Sequence, residues 1–369
     1  MNIKVNVLNM NIDKQIGLLI FDKNNSLLRK TYIFGSSKYR NGIEKEVTFD
    51  LHHDYKIEFF YKKLRSLPIY LSKSLPNLKV KINKRKNVLN VDFYNHGIKK
   101  TGKVYSKVFK SDLLKHRQCK INTFIYVQDK LENEKYQLIV CFDGQNMFSL
   151  NGVKTYTKKH DPYGSWQLDQ VLTKIRKDNH KPYIVLSIDN ANKYRDNDLT
   201  MSEEFANVNF SFGRNKRYFN GKLELLAEVI VNDMLPYLKE NYDIDWSTVG
   251  TLGASSGGLA SFYLGLKYSN IFQYILAFSP ALLFFKPEDL NKLILGKEKL
   301  PALVLSGGYV SMLEKVLTDY CRYYYPYCKE VYQIDKLMLF IDEIYDHNEI
   351  TWRYMLPKSL DFVMQKMNF

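Results

Sequence analysis

The sequence predicts an α/β protein, a mostly parallel central sheet covered by helices on both faces, preceded by a small all-β sandwich-like module. Three observations predict it. From residue 101 onward, short apolar runs alternate with stretches of helical period, the pattern of strand–helix–strand units. Runs such as PYIVLSI are apolar at nearly every position, as strands buried on both faces are. Residues 1–98, by contrast, hold short strand-like runs separated by polar turn clusters.

The elements follow in order. In 1–98 the runs IKVNVL, GLLIF, TYIF, VTFDL, YKIEFFY, LPIYL, LKVKI and VLNVDFY read as strands, broken by DKNNS, GSSKYRNG and NKRKN. The Asn95-His96-Gly97 turn separates this module from a second domain over 101–369. There VYSKVF and INTFIYV are extended, and LIVCF is a strand leading into a loop. SWQLDQVLTKIRK (165–177) has helical period, PYIVLSI (182–188) is a buried strand, and a long polar excursion covers 189–220. KLELLAEVIVNDMLPYLKENY (222–242) is an amphipathic helix. The strand STVGTLG, the helix GGLASFYLGLKY, the strands YILAFS and ALVLSG, the helix MLEKVLTDYCRYY and the strand DKLMLFI come next, and a final helix covers about 350–367. The excursion is long for a plain connection, which makes it a candidate to overhang a site and set its substrate choice.

Composition excludes several classes. With 369 residues, 45% apolar and 14% aromatic, the chain buries a large core, and 25% charged residues is the share of a globular protein. The longest near-continuous apolar run, Ile275 to Phe285, is broken by Ser279 and Pro280 and is too short to span a bilayer. MNIKVNVLNMNIDK lacks the apolar block and small-residue cleavage site of a secretory signal, so the cytoplasm is the expected location. Four cysteines, Cys119, Cys141, Cys321 and Cys328, are too few and too scattered for a disulfide framework. No histidine pair has metal-ligand spacing except His52-His53, neighbours in a strand that point to opposite faces. No metal and no cofactor is expected.

The positive charge is uneven. The whole chain has 54 basic and 39 acidic residues, net +15, while residues 1–100 alone hold 20 basic against 8 acidic. A coding bias toward lysine would raise both parts and does not explain the asymmetry. Such a module attracts an anionic polymer or a glycan surface, or is simply a lysine-rich solvated face. KVKINKRKNV (79–88) lacks the aromatic interleaving of a single-strand nucleic-acid groove, so nucleic acid is not an expected partner.

One motif carries most of the chemistry. Gly253-Ala254-Ser255-Ser256-Gly257 is a G-x-S-x-G sequence between a strand and a helix rich in small residues. That context is the one a nucleophile elbow requires. Ser255 would stand on a sharp strand-to-helix turn, and the Ser256 N–H at the helix start would face a developing oxyanion. The plainer reading of GASSGG is a flexible turn. A serine hydroxyl needs a base, and His347, in YDHNEITWRYMLP, is the one histidine after Ser255, lying between the last apolar strand and the last helix. The plainer reading of His347 is a solvated loop residue. His52, His53, His96, His116, His160 and His180 have no comparable placement.

Residues 101–369 resemble the α/β-hydrolase-fold putative esterases, the group that includes esterase D, enterochelin esterase and feruloyl esterases. Five blocks in order carry the resemblance: TGKVYSKVF with INTFIYV; LIVCFDGQNMF with GSWQLDQVL; IVLSIDN; GASSGGLASFYLGLKYSNIFQYILAFSPAL; and HNEITWRYMLPKSLDFV. The resemblance implies Ser255 as nucleophile, His347 as general base, and an oxyanion hole from the backbone N–H groups of Gln145 and Ser256. The turn that contains Gly144 would aim the Gln145 amide into the crevice at the strand ends. Asp143 is expected to stabilise that turn without touching substrate. Trp166 and Asn190 would line the pocket, or serve packing and turn chemistry.

One position departs from the family's pattern. Where the family carries Asp or Glu just after the strand matching ALVLSGG, this chain has Gly307-Gly308-Tyr309-Val310-Ser311. The nearest carboxylate is Glu314, the candidate substitute; Asp342, Asp346 and Glu349 lie near His347 in sequence, with Asp346 poorly placed to reach the ring. Two functions therefore stand. One is a serine carboxylic-ester hydrolase or acyl transferase acting through an acyl-enzyme on an O-acylated metabolite or glycan. The other is a catalytically impaired esterase-fold protein that binds or assembles through its basic N-terminal module. In the family an added β domain accompanies glycan-directed esterases, which points that module to carbohydrate.

Overall fold

The structure, a computed structural model, describes residues 2–7, 16–21, 27–34, 43–48, 55–62, 64–65, 69–71, 77–85 and 88–96, then 101–148, 165–177, 181–190, 194–202, 211–212, 215–216, 221–331, 336–343 and 345–367. The chain divides into two compact units, with the break between Lys100 and Thr101.

In the second unit eight described strands form one sheet: β1 (Lys103–Lys110), β2 (Lys120–Val127), β3 (Tyr136–Phe142), β4 (Tyr183–Ile188), β5 (Ile244–Ala254), β6 (Tyr274–Phe278), β7 (Ala302–Gly308) and β8 (Leu337–Asp342). Their order is β1-β2-β4-β3-β5-β6-β7-β8. β2 is antiparallel to both neighbours, and every pair from β4 to β8 is parallel. β3, β4, β6 and β7 are buried at every residue, which is why their sequences read as unbroken apolar runs. The edge strand β1 is largely exposed and carries lysines, which discourages pairing with another chain. After β3 the chain steps to one side to make β4, then crosses to the other side of β3 to make β5. The crevice at the carboxyl ends of β3 and β5 is thus a topological switch point, where open parallel sheets place their ligand sites.

Six helices matter here: α1 (Leu168–Lys177); α2, made of Leu223–Val229, a π-helical Ile230–Met234 and Leu235–Asn241; α3 (Ser256–Lys267); α4 (Pro287–Ile294); α5 (Met312–Pro326), continued by a π turn Tyr327–Val331; and α6 (Glu349–Met367). α3 is buried from Ser256 to Leu266, which its glycines, alanine and serines permit by letting it lie directly on the sheet. The helical period read over 165–177 becomes a helix only from Leu168. Gln167 has a φ of 51°, and the N–H groups of Trp166 and Leu168 bond to the carbonyls of Asn146 and Met147 instead of extending the helix backwards. The single helix expected over 222–242 contains the π turn because Pro236 has no N–H to give the preceding turn. α4 went unread in the sequence, although Pro287 at its first turn is a regular start signal.

In the first unit, strands over 43–48, 2–7, 77–85 and 88–96 form one sheet in that order, and 27–34, 16–21, 55–61 and 64–65 form another, with 69–71 also paired to 55–61. Ile16–Phe21 lies inside the second sheet and is wholly buried, and Ile57, Phe59 and Tyr61 alternate inward beside it. Leu27, Leu28 and Tyr32 on the edge strand are exposed, and Tyr32 meets Phe60 edge-on at 5.5 Å. The turn clusters at 22–26 and 35–42, His52, His53, Gly97, His160, His180 and most of the 189–220 excursion lie outside the described residues. All four cysteines are free thiols, and no described helix is long and apolar enough to cross a membrane.

Candidate active site

The site begins where β5 meets α3. Ser255 has φ 58° and ψ −127°, a strained conformation for a residue with a side chain, at the position before the first turn of α3. Its backbone is pinned on both sides: the N–H donates to the Phe278 carbonyl at 3.0 Å, and the carbonyl accepts from Leu259 and Ala281. The turn is possible because of Gly253. A Cβ there would lie 2.2 Å from the Gly257 carbonyl oxygen, so no larger residue fits between β5 and α3. At this bend Ser255 lines the cavity described below.

The partner comes from the far end of the chain. His347 precedes α6, and its Nδ1 is 2.8 Å from Oε2 of Glu314. Glu314 sits in the first turn of α5 and is fully buried. Its Oε1 accepts from the Ser279 hydroxyl at 2.6 Å, and that hydroxyl accepts from the Trp352 indole N–H at 3.1 Å. A carboxylate on Nδ1 keeps the ring proton there and leaves Nε2 with its lone pair toward the cavity. The carboxylate missing after β7 is thus replaced in space by one from a helix, several residues later.

The loop after β3 forms the third part. Asp143 has a φ of 56°, Gly144–Asn146 is a single 3₁₀ turn, and Gly144 lies so close to β4 that a Cβ would meet the Ser187 backbone at 2.7 Å. Among the described residues neither the Gln145 nor the Ser256 N–H has a hydrogen-bond partner. The Gln145 side chain turns aside: its Oε1 accepts from the Asn190 N–H at 3.3 Å. Asp143 does more than hold a turn. It takes Arg195 Nε at 2.8 Å and Nη2 at 2.7 Å, with Asn190 Nδ2 at 2.9 Å. Burial alone would raise the Asp143 carboxyl, but the Arg195 charge and the hydrogen bonds from Arg195, Asn190 and Gln145 outweigh it and hold the group below the usual carboxylate range. Arg195 starts a single helical turn, Arg195–Asp198, anchored at its other end by Asp198, which meets His116 Nε2 at 2.6 Å and Arg117 Nη1 at 3.2 Å.

These parts surround a cavity of about 220 Å³ lined by, among others, Ser255, His347, Trp166, Asn190, Asp143 and Arg195. Glu314 stands behind His347, and Gly144, Gln145 and Ser256 flank the cavity without lining it. Trp166 is 2% exposed and stacks between Phe278 and Trp352. Among the described residues the Ser255 hydroxyl makes no hydrogen bond. Sequence reasoning missed Arg195, Asn146, Glu349 and Trp352 as wall residues. Asn146 Nδ2 bonds to Glu349 Oε1 at 3.2 Å, so the Asn of the DGQN run and the Glu of HNE were legible as partners only once the two loops were seen together. Arg195 had no sequence signal beyond its place in the excursion. Among the described residues no cluster of His, Cys, Asp and Glu is arranged for a metal ion.

The family model described as putative esterase matches residues 115–302. Among solved structures, an enterobactin esterase from Shigella flexneri superposes with a TM-score of 0.54 at 13% identity, covering 96% of this chain and 89% of the other. A siderophore hydrolase, EstA from Aspergillus nidulans, gives 0.52 at 14% identity over 72% of this chain and 94% of the other. The first similarity takes in both units; at these identities both establish the fold. No curated protein matches the sequence.

Proposed function

The chain belongs to the putative esterase family, and from that premise we propose that it is a serine carboxylic-ester hydrolase working through an acyl-enzyme. The observation that carries the reading is the convergence in one cavity of a strained Ser255 and a His347 whose Nδ1 is held by a fully buried carboxylate. His347 Nε2 takes the Ser255 proton as Oγ attacks the ester carbonyl, the hydrogen bond between them closing as substrate enters. Glu314 holds the tautomer and stabilises the imidazolium. The unpartnered N–H groups of Gln145 and Ser256 receive the oxyanion. The imidazolium then protonates the leaving alcohol, and water attacks the acyl-enzyme by the same steps in reverse.

The wall supports a polar ester. Asp143, Asn146, Asn190, Arg195 and Glu349 surround a small cavity, so the substrate carries hydrogen-bonding groups close to its carbonyl, as an O-acylated metabolite or an acylated glycan does. An enterobactin esterase and a siderophore hydrolase share this fold, which supports trying polar small esters first. The presence of Glu314 at the histidine supports hydrolysis over an impaired binding module.

The test is reaction with a fluorophosphonate probe and hydrolysis of short-chain nitrophenyl esters, with Ser255→Ala beside the native protein. Labelling and turnover that both vanish in the variant are expected. A native protein that neither labels nor hydrolyses overturns the reading, and labelling that persists in Ser255→Ala moves the nucleophile elsewhere.

A further inference from the structure

Ser279 is left without a role by the mechanism above, yet it is built at a cost. It follows β6 immediately before Pro280, is fully buried, and is held at a φ of 41°, where a residue with a side chain is strained. Its one hydroxyl joins two groups. It donates to Glu314 Oε1 at 2.6 Å and accepts from Trp352 Nε1 at 3.1 Å; the direction is fixed because an indole N–H only donates and an ionised carboxylate only accepts. Trp352 also presents its ring to His347, with centroids 5.1 Å apart and planes at 87°, and stacks on Trp166. His347, Glu314, Ser279 and Trp352 therefore close a ring of contacts that returns to the histidine.

We propose that Ser279 and Trp352 are positioning residues for the ester hydrolysis argued above: the Ser279 hydroxyl fixes the direction in which the Glu314 carboxylate faces His347, and Trp352 fixes both that hydroxyl and the plane of the imidazole. The inference rests on the esterase reading and goes beyond it. The need arises from where Glu314 comes from. A glutamate reaching in from a helix has three side-chain torsions to fix. Ser311-x-x-Glu314 has the form of a capping box, and the serine half is made, with Ser311 Oγ accepting from the Glu314 N–H at 3.3 Å. The glutamate half is not: its two oxygens go to Ser279 and His347. Without Ser279 the carboxylate keeps a single partner and its aim is lost.

The other charged or titratable groups facing this pair are Asp143, Arg195 and Glu349 across the cavity, Asp346 beside His347 in the chain, and the Cys321 thiol behind Glu314 on α5. Among the described residues none of them hydrogen-bonds the Glu314 carboxylate, so the donor that Ser279 supplies has no substitute.

The test compares the full-length native chain with Ser279→Gly, Ser279→Ala and Trp352→Phe. Glycine accepts a positive φ without strain, so Ser279→Gly removes the hydroxyl while relieving the backbone. Two readouts are taken: kcat and KM on a nitrophenyl ester, and the titration of the His347 ring by NMR of histidine-labelled protein. In Ser279→Gly and Ser279→Ala, kcat should fall about tenfold with KM unchanged, the size of one lost hydrogen bond to a charged group. The His347 midpoint should fall from its native position, because a carboxylate that has lost its aim stabilises the imidazolium less. Trp352→Phe keeps an aromatic ring but removes the N–H and one ring of the indole, and kcat should fall there as well. A Ser279→Gly protein with native kcat and an unmoved His347 midpoint overturns the inference. If the native protein hydrolyses no ester, the esterase reading fails, and the NMR midpoint still decides whether Ser279 governs the pair.

Discussion

Asp143 and Arg195 meet through two parallel hydrogen bonds, 2.8 Å from Nε and 2.7 Å from Nη2, in the wall of the cavity that Ser255 also lines. The pair ties the turn that presents the Gln145 N–H to the first residues of the long excursion. A carboxylate that the sequence offers as a turn stabiliser therefore also sets the position of Arg195 in the cavity wall.

Replacing Asp143 with Asn tests that tie. The Asp143 carboxyl lies below its ordinary range in the folded protein, so it contributes stability above the unfolded value near 3.9, and the contribution is lost as pH falls through the lowered folded value. Thermal melts should show Asp143→Asn less stable than native at neutral pH by about 1–3 kcal/mol, a charged hydrogen-bonded pair being at stake. The gap should stay constant down to about pH 4 and shrink below it. A gap independent of pH down to pH 2 would mean the ion pair does not form.

Glu314→Gln separates a carboxylate that orients His347 from one that only fills space. The amide can still take the Ser279 proton on its oxygen, but its NH₂ then faces Nδ1 and forces the proton onto Nε2, the wrong tautomer for a base. Turnover of a nitrophenyl ester should fall by about 10³–10⁴, on the scale known for the triad acid of serine proteases, with KM little changed. A variant that keeps a third of native turnover shows that some other group holds the ring.

The sheet and its helices were legible because buried parallel strands leave few polar positions to confuse the reading: PYIVLSI and YILAFS are apolar because β4, beside β3, and β6, beside β7, are buried along their whole length. Ser255 and His347 were legible because each stands at an element boundary that the apolar pattern marks. Glu314 was found only as the nearest carboxylate, since its sequence context, Ser311-x-x-Glu314, looks like helix capping and the contact with His347 spans 33 positions. Arg195, Ser279 and Trp352 were out of reach for the same reason. Their partners lie 52, 35 and 73 residues away, and no periodicity links them.

The cysteines give a test of packing that is independent of chemistry at the site. Cys141, Cys321 and Cys328 are buried, and burial pushes their thiols up, Cys328 to about 12 and the other two well above the ordinary range. Thiolate is the reactive form, so at pH 8 these three should be inert to a disulfide reagent. Cys119, partly exposed after the turn that precedes β2, should react alone in the native protein, and all four should react in denaturant. Rapid reaction of a second thiol in the native state would show that β3 or α5 is not packed as described.

The elbow glycines differ in a way that can be measured. At Gly253 a Cβ would lie 2.2 Å from the Gly257 carbonyl oxygen, a clash with backbone that cannot swing aside. At Gly257 the nearest atoms would be Asp143 Oδ2 at 3.1 Å and Phe142 Cβ at 3.2 Å, a tight fit that a few tenths of an ångström relieves. Gly253→Ala should therefore separate β5 from α3, costing on the order of 3 kcal/mol or more, and lower the yield of folded protein. Gly257→Ala should fold with a loss of about 1 kcal/mol, partly offset by the helix preference of alanine. Because the contact it crowds is the Asp143 carboxylate, its effect should appear mainly in the kinetics, as a change in KM for esters that reach Arg195. Equal stability of the two variants would mean that the close approach at Gly253 is not what shapes the turn.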